Sequence, residues 1–139
     1  TKAFEKQYTT LKLAIGGTGL FITLLSLIVG GIGIMNIMFV SVKERTREIG
    51  IRKATGATNA MIMGQFLMEA VIICLFAGIV GISLAYLFSF FINKFFPSTL
   101  PLGLSMFAML MSMIVGVISG FIPSYRAAKL DPIDSLRYE

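Results

Sequence analysis

Residues 13–42 read LAIGGTGLFITLLSLIVGGIGIMNIMFVSV, a stretch of 30 residues without one charged side chain. Two more uncharged stretches follow, residues 70–93 and residues 95–125. A helix needs about 20 apolar residues to cross the hydrocarbon core of a bilayer. Each stretch is long enough, so the sequence predicts an all-α integral membrane protein with three transmembrane helices.

The composition of the whole chain favours the same class. Of its 139 residues, 56% are hydrophobic and 14% are charged, whereas soluble domains carry about 25% charged residues. A buried helical core is the main alternative, but three such stretches leave too little polar surface to cover them. Membrane β-strands are a poor alternative, because residues 70–76, AVIICLF, do not alternate between apolar and polar side chains.

The residue types exclude several kinds of chemistry. The chain has no histidine, which excludes His-based catalytic triads and His metal ligands. Its single cysteine, Cys74, lies in an apolar stretch and is expected to be a small buried hydrophobe. We therefore predict no catalytic residue, no cofactor-binding residue and no metal ligand in this chain.

The charged residues predict how the helices are oriented. Most basic residues lie in the connection after the first apolar stretch and in the C-terminal tail. The positive-inside rule places both segments in the cytoplasm, with the N-terminus and the second connection outside. Thr1 would then be extracytoplasmic without an initiator methionine or a signal peptide. We therefore expect a longer chain with at least one further membrane helix upstream.

Residues 43–59, KERTREIGIRKATGATN, are the most informative connection. Charges alternate with aliphatic side chains over a length that predicts a short cytoplasmic helix with a break at Gly56. A stop-transfer signal needs only a few lysines, whereas this segment has seven charges of both signs beside Ile49 and Ile51. That mixture favours a surface that docks on another protein.

Two further sets of residues are candidate sites within the membrane helices. Glu69 lies two to three turns into the second helix, and a carboxylate in a membrane segment is a functional candidate by default. Its shallow depth favours an ion pair with Arg45, Arg47 or Arg52 over ion coupling. Small residues permit close approach of membrane helices, and on that basis we assign helix packing to Gly30, Gly31, Gly33, Gly116 and Gly120.

Three stretches carry a family resemblance: GGIGIMNIM at residues 30–38, ERTREIGIRKA at residues 44–54 and PSYRAAKLDP at residues 123–132. With them the sequence resembles the C-terminal membrane region of the FtsX-like ABC transporter permeases, and most of all their MacB type. The resemblance covers nearly the whole chain from about residue 13 onward. It implies a protein of the bacterial cytoplasmic (inner) membrane.

The resemblance also implies partners and a mechanism. An ABC ATPase, as a subunit or a fused domain, would bind ATP and Mg and dock on the cytoplasmic coupling segment. The implied docking residues are Lys43, Glu44, Arg45, Arg47, Glu48, Ile49, Ile51, Arg52 and Lys53. A second permease copy and an extracytoplasmic adaptor protein would complete the assembly. The helices would transmit ATP-driven movement to an extracytoplasmic domain, for export of antimicrobial compounds or peptides.

These features divide the chain into seven predicted segments. They are an extracytoplasmic stalk end at residues 1–12, a transmembrane helix at 13–42, the cytoplasmic coupling segment at 43–59, a transmembrane helix at 60–94, an extracytoplasmic loop at 95–102, a transmembrane helix at 103–125 and a cytoplasmic tail at 126–139. Phe4, Tyr8 and Leu11 recur at helical spacing, which predicts a helical stalk. Pro123 is expected to end or bend the third membrane helix.

Other functions remain open at this point. Within the family, the alternatives are lipoprotein release and control of a cell-wall hydrolase. Outside it, the chain would be a passive membrane anchor or assembly subunit whose basic loop binds anionic membrane lipid. A secondary transporter is disfavoured, because broken helices with ionisable residues at the bilayer midplane are not evident. Nucleic-acid binding is not expected, because the basic residues flank lipid-spanning segments.

Overall fold

The computed structural model describes residues 1–137 and contains only helices among them. In chain order they are α1 (Lys2–Glu44), α2 (Thr46–Ala54), α3 (Asn59–Ile92), α4 (Leu102–Ala128) and α5 (Pro132–Arg137). Three of them, α1, α3 and α4, are long and apolar enough to cross a membrane. The predicted all-α membrane class with three spanning helices is therefore confirmed, while the orientation stays a prediction.

Helix α1 is much longer than a bilayer requires. Its 43 residues make it about 65 Å long at 1.5 Å rise per residue. The helix runs from residue 2 through the whole apolar stretch without a break, which gives the polar N-terminal residues a helical, stalk-like form. Only Gly31, Met38 and Val42 are buried, so most of its apolar surface faces away from the rest of the chain.

Helices α3 and α4 form an antiparallel hairpin that packs closely along its length. Small residues face each other across this pair, and side-chain hydroxyls add hydrogen bonds. The Ser112 hydroxyl donates to the Cys74 carbonyl, and the Tyr86 and Ser105 hydroxyl oxygens lie 2.9 Å apart. Interhelical bonds of this kind stabilise membrane helix pairs by roughly 0.6–2 kcal/mol each.

Helix α4 does not end at Pro123, the residue expected to end or bend it. It continues through Pro123 to Ala128, three residues past the predicted end of the third membrane segment. A proline removes the hydrogen bond to the carbonyl of Ser119, four residues earlier. Membrane helices tolerate this loss where neighbouring helices pack around the site, and Pro123 is fully buried.

The buried apolar core lies where the C-terminal end of α1, the whole of α2, the first turns of α3 and the last turns of α4 meet. Its buried members are Met38, Val42, Ile49, Ile62, Phe66, Ala70 and Ala127. The tail helix α5 packs against α2. The short helix α2 is therefore seated on the ends of all three long helices.

Candidate functional site

The candidate site is α2 together with the residues that hold it in place. Arg45 separates α1 from α2, since its backbone (φ −99°, ψ 14°) departs from helical geometry. At the other end, Gly56 has a φ of +111°, which is readily adopted only by glycine. The Thr58 side chain then caps α3 by accepting the Met61 N–H at 3.2 Å. The break at Gly56 was predicted from the sequence.

Charged side chains connect α2 to α3. Glu48 bonds to Arg52 at 2.7 Å and to Arg45 at 3.3 Å. Arg45 extends the network to Glu69 at 3.4 Å, and the Arg52 guanidinium donates to the Gln65 side-chain carbonyl. Isolated surface ion pairs contribute little, but a network that joins two helices also fixes their relative position.

The electrostatics of this network follow from its geometry. Hydrogen bonding and charge from Arg45, with a smaller contribution from Arg52, lower the pKa of Glu48 below its ordinary value, against a weaker opposing effect of burial. A carboxyl whose pKa is lowered by folding stabilises the fold at neutral pH and loses that contribution as pH falls through the lowered pKa. The lowered pKa therefore favours the ionised form of Glu48, which pairs with Arg45 and Arg52.

Glu69 is partly buried and lies on the first turns of α3. Its carboxylate pairs with Arg45, one of the three partners named as candidates from the sequence. The Arg45 guanidinium also lies 5.6 Å from the centroid of the Phe66 ring, within the range of a cation–π interaction. This geometry supports a structural ion pair that fixes the junction between α1 and α3.

Gln65 is a member of the network that the sequence analysis did not assign to the site. It lies four residues before Glu69, which places both side chains on one face of α3. The four-residue spacing from Glu69 was the one feature of the sequence that could have assigned Gln65 to the site. Its partner could not be chosen from sequence, because Arg45, Arg47 and Arg52 all precede it at plausible separations.

Two residues assigned to the docking surface point toward the interior of the chain. Ile49 is 3% exposed and belongs to the apolar core. The Lys53 ammonium donates to the Ala128 carbonyl and, at 2.7 Å, to the Leu130 carbonyl. Ile49 is therefore covered by its own chain and Lys53 uses its donors within it, so their contact with a partner stays a prediction that these positions do not favour.

The other docking candidates are accessible. Lys43, Glu44, Arg47 and Ile51 are exposed, and Glu48 is nearly half exposed despite its ion pairs. Arg47 makes no hydrogen bond or ion pair with any residue that the structure describes. The outer face of α2 thus presents unpaired positive charge beside an exposed aliphatic side chain.

The five packing glycines separate into two groups. A methyl group added at Gly31 or Gly120 would lie 2.8 or 2.5 Å from a neighbouring side chain, closer than real contacts allow, and one added at Gly116 would make a tight contact of 3.0 Å. At Gly30 and Gly33 the same methyl group would meet nothing within 4 Å. Close helix packing inside this chain therefore involves the first group, while the second faces outward.

Within residues 1–137, no group of three or more His, Cys, Asp or Glu side chains could hold a metal ion. The charged side chains near α2 are instead engaged in pairing, capping or solvent contact. The arrangement suits a protein–protein contact joined to membrane helices.

Comparison with known proteins agrees with this arrangement. The family described as FtsX-like permease C-terminal matches residues 20–132. The chain is 46% identical, over 99% of its length, to the macrolide export ATP-binding/permease protein MacB of Escherichia coli K12, covering 21% of that protein. It is 51% identical to the uncharacterized ABC transporter permease YknZ of Bacillus subtilis, over 83% of this chain and 30% of that one. Yersinia pestis MacB 1 is 49% identical over 86% of the chain and 19% of its own length.

The chain thus spans less than a third of these curated relatives, and the match falls on their permease region. The ATPase domain of the MacB proteins lies elsewhere in their sequence. The bacterial relatives and the three membrane-spanning helices also confirm the predicted location in a bacterial membrane. The chain belongs to the FtsX-like ABC transporter permeases of MacB type, as their C-terminal region.

Proposed function

We propose that this chain is the force-transmitting part of a MacB-like ABC transporter, in which an ATPase docks on the exposed face of α2. One observation carries the proposal: α2 presents outward a charge, Arg47, that has no ion-pair partner among the described residues, while its inner face is fixed to the ends of α1, α3 and α4. A partner that pushes or pulls α2 would displace all three membrane helices together. ATP and Mg belong to that partner, fused or separate.

The proposed orientation places α2 and the tail in the cytoplasm and the start of α1 outside. The positive charge of these two segments supports it. The length of α1 supports it as well, because about 30 Å of the helix suffices to cross the hydrocarbon core. The remainder is available as a rigid stalk that connects to an extracytoplasmic domain and its adaptor protein.

Transmission of movement suits these helices better than a hydrophilic pore does. The threonine hydroxyls of α1 are bonded to backbone carbonyls of the same helix. Thr18 donates to the Ala14 carbonyl and Thr23 to the Gly19 carbonyl, both at 2.8 Å. Asn36 and Glu69 are the main remaining polar groups of the spanning segments, and Glu69 is paired with Arg45. Such helices leave few groups to replace the hydration shell of a polar substrate.

A second copy of the permease is proposed to cover α1. On the exposed face of this helix, a Cβ atom added at any of five glycines would meet nothing within 4 Å. They are Gly16, Gly17, Gly19, Gly30 and Gly33. Glycines in membrane helices commonly allow two helices to approach closely. Two stalks side by side would also give an extracytoplasmic domain a paired base.

The proposed cargo is an antimicrobial compound or peptide, as the macrolide export of the Escherichia coli relative suggests. Lipoprotein release and control of a cell-wall hydrolase are the alternatives within the family. A passive anchor that binds anionic lipid through basic side chains is the alternative outside it. The anchor would tolerate loss of Glu48, because lipid binding needs only positive charge.

The test is co-purification of an ATPase with the full-length protein in detergent. Arg47→Glu and Ile51→Asp change exposed side chains of α2 that make no hydrogen bond or ion pair with the described residues. We expect both variants to insert normally and to lose about tenfold or more of the ATPase, as for a central charged or aliphatic interface residue.

Lys6→Glu, a charge reversal of an exposed stalk residue, is the matched control and should retain the ATPase. If the ATPase is a fused domain, co-purification cannot report docking, and the rate of ATP hydrolysis is measured instead. The α2 variants should then lose the effect of the permease on that rate. Full ATPase retention by both α2 variants would refute the docking role.

A further inference from the structure

Lys53 provides a connection within the site that the docking function does not use. It lies in the last turn of α2, and its ammonium group contacts the C-terminal end of α4. There it donates to the carbonyl of Ala128, the last residue of α4, and to that of Leu130 at 2.7 Å. These contacts join residues 75 and 77 positions apart in the sequence.

The end of α4 needs such a donor. The last four carbonyls of a helix have no partner within it, and a cation near them is favoured by the helix dipole. The backbone N–H of Lys129 turns back onto the carbonyls of residues 125–127, which leaves the Ala128 carbonyl to Lys53. Partial burial lowers the pKa of the Lys53 ammonium, and the charge of Asp131 opposes that shift.

Helix α4 is the element through which a displacement of α2 would spread. It packs against both α3 and α1, whereas α1 and α3 barely touch each other. Helix α2 itself packs little on α1, to which Arg45 joins it directly. Movement of α2 therefore has a covalent route to α1 through Arg45, a non-covalent route to α3 through Arg52 and Gln65, and a non-covalent route to the end of α4 through Lys53.

We propose that Lys53 is a positioning residue that locks α2 to the C-terminal end of α4, so that ATPase-driven movement of α2 carries the α3–α4 hairpin along with α1. The inference rests on the proposed function and deepens it. Without the lock, α2 would still bind the ATPase through its outer face and stay linked to α3 through Arg52, but it would lose its direct attachment to the end of α4.

The test uses the full-length protein with its ATPase, in lipid nanodiscs. Spin labels at Ala54→Cys and Lys129→Cys, both exposed positions, report the distance between α2 and α4 in a Cys74→Ala background. We expect wild type to give one distance, unchanged by ATP and Mg. In Lys53→Met, ATP should populate a second, longer distance, raising the separated state about tenfold or more through loss of a charge-assisted hydrogen bond.

Two matched variants separate this role from a general structural one. Lys53→Arg keeps donors for both carbonyls and should restore the single distance. Lys12→Met removes an exposed lysine that lies outside the docking segment and bonds to no described residue, and it should behave as wild type. Should Lys53→Met fail to accumulate, Lys53→Gln retains a neutral donor and is expected to give an intermediate population.

Each outcome decides the inference. Separation in Lys53→Met with the ATPase still bound supports it, and so does rescue by Lys53→Arg. A single, nucleotide-independent distance in Lys53→Met overturns it while leaving the docking function intact, as does an ATP-dependent separation already present in wild type. Absence of any ATPase from wild type overturns the proposed function and, with it, the source of movement.

Discussion

Helix α1 and the α3–α4 hairpin are both apolar enough to span a membrane, yet they pack in opposite ways. The hairpin helices lie close together, with glycines against neighbouring side chains and hydroxyls bonded across the pair. Helix α1 contacts α4 mainly near its C-terminal half and leaves most of its glycines without neighbours. The number of glycines in a helix therefore does not show whether that helix packs closely within its own chain. Close packing depends on whether another helix lies against those glycines.

The largest effect is expected where the hairpin is tightest. A methyl group at Gly120 would lie 2.5 Å from the Ala70 Cβ, and Ala70 is completely buried. Gly120→Val should lower the free energy of unfolding by about 3 kcal/mol, the upper part of the usual range for overpacking. Thermal unfolding in detergent measures the effect.

Gly33→Val is the matched control for this change, because a Cβ atom added at that position meets nothing within 4 Å. It should change the stability of the single chain by less than about 0.5 kcal/mol. Equal destabilisation by the two substitutions would remove the distinction between the packed hairpin and the open face of α1.

A smaller effect is expected at Gly31, the glycine of α1 that packs tightly against α4. A methyl group at Gly31 would lie 2.8 Å from the Ser119 hydroxyl oxygen of α4. Because a side chain can shift, Gly31→Ala should cost only about 1 kcal/mol, and Ser119→Ala in the same chain should restore much of that loss. Chemical denaturation of the single and double variants measures the coupling between the two residues.

The neighbouring Gly30 sharpens this comparison, since the two positions differ by one residue along the same helix. Gly30→Ala meets no neighbour and should stabilise the helix by roughly 0.5–1 kcal/mol through reduced chain entropy. A loss of stability in Gly30→Ala that depends on protein concentration would show instead that another copy packs on this face.

The smallest effect on the chain itself is expected from cysteines placed along the open face of α1. Tyr8→Cys and Gly19→Cys, in a Cys74→Ala background, should leave stability nearly unchanged because both positions are exposed. Oxidation in native membranes should nonetheless crosslink two copies if paired stalks cover this face. A scanned series along α1 without any crosslinked dimer would contradict the proposed pairing.

Much of the fold was predictable from local sequence. Uncharged length predicts the three spanning helices, and Gly56 predicts the break after α2. The end of α4 was not predictable in this way. A proline signals a helix end in water, but burial among neighbouring helices lets α4 continue past Pro123.

The candidate site was predictable as a segment but not residue by residue. Mixed charge identified residues 43–59, yet the pattern could not separate Ile49, which is buried, from Ile51, which is exposed. The two differ in direction only because α2 lies on the ends of the other helices. Gln65 was missed for the same reason: its role depends on which arginine lies opposite it.

The sequence by itself determined the membrane class, the number of spanning helices and the charged segment between the first two, because hydrophobic length and charge act locally along a chain. Only the tertiary structure decided which glycines are packed, that Arg45 rather than Arg47 or Arg52 pairs with Glu69, and that Lys53 caps α4 instead of facing a partner. These choices depend on distances of a few ångströms between residues far apart in sequence. Such distances are set by how the helices pack, which no local pattern specifies.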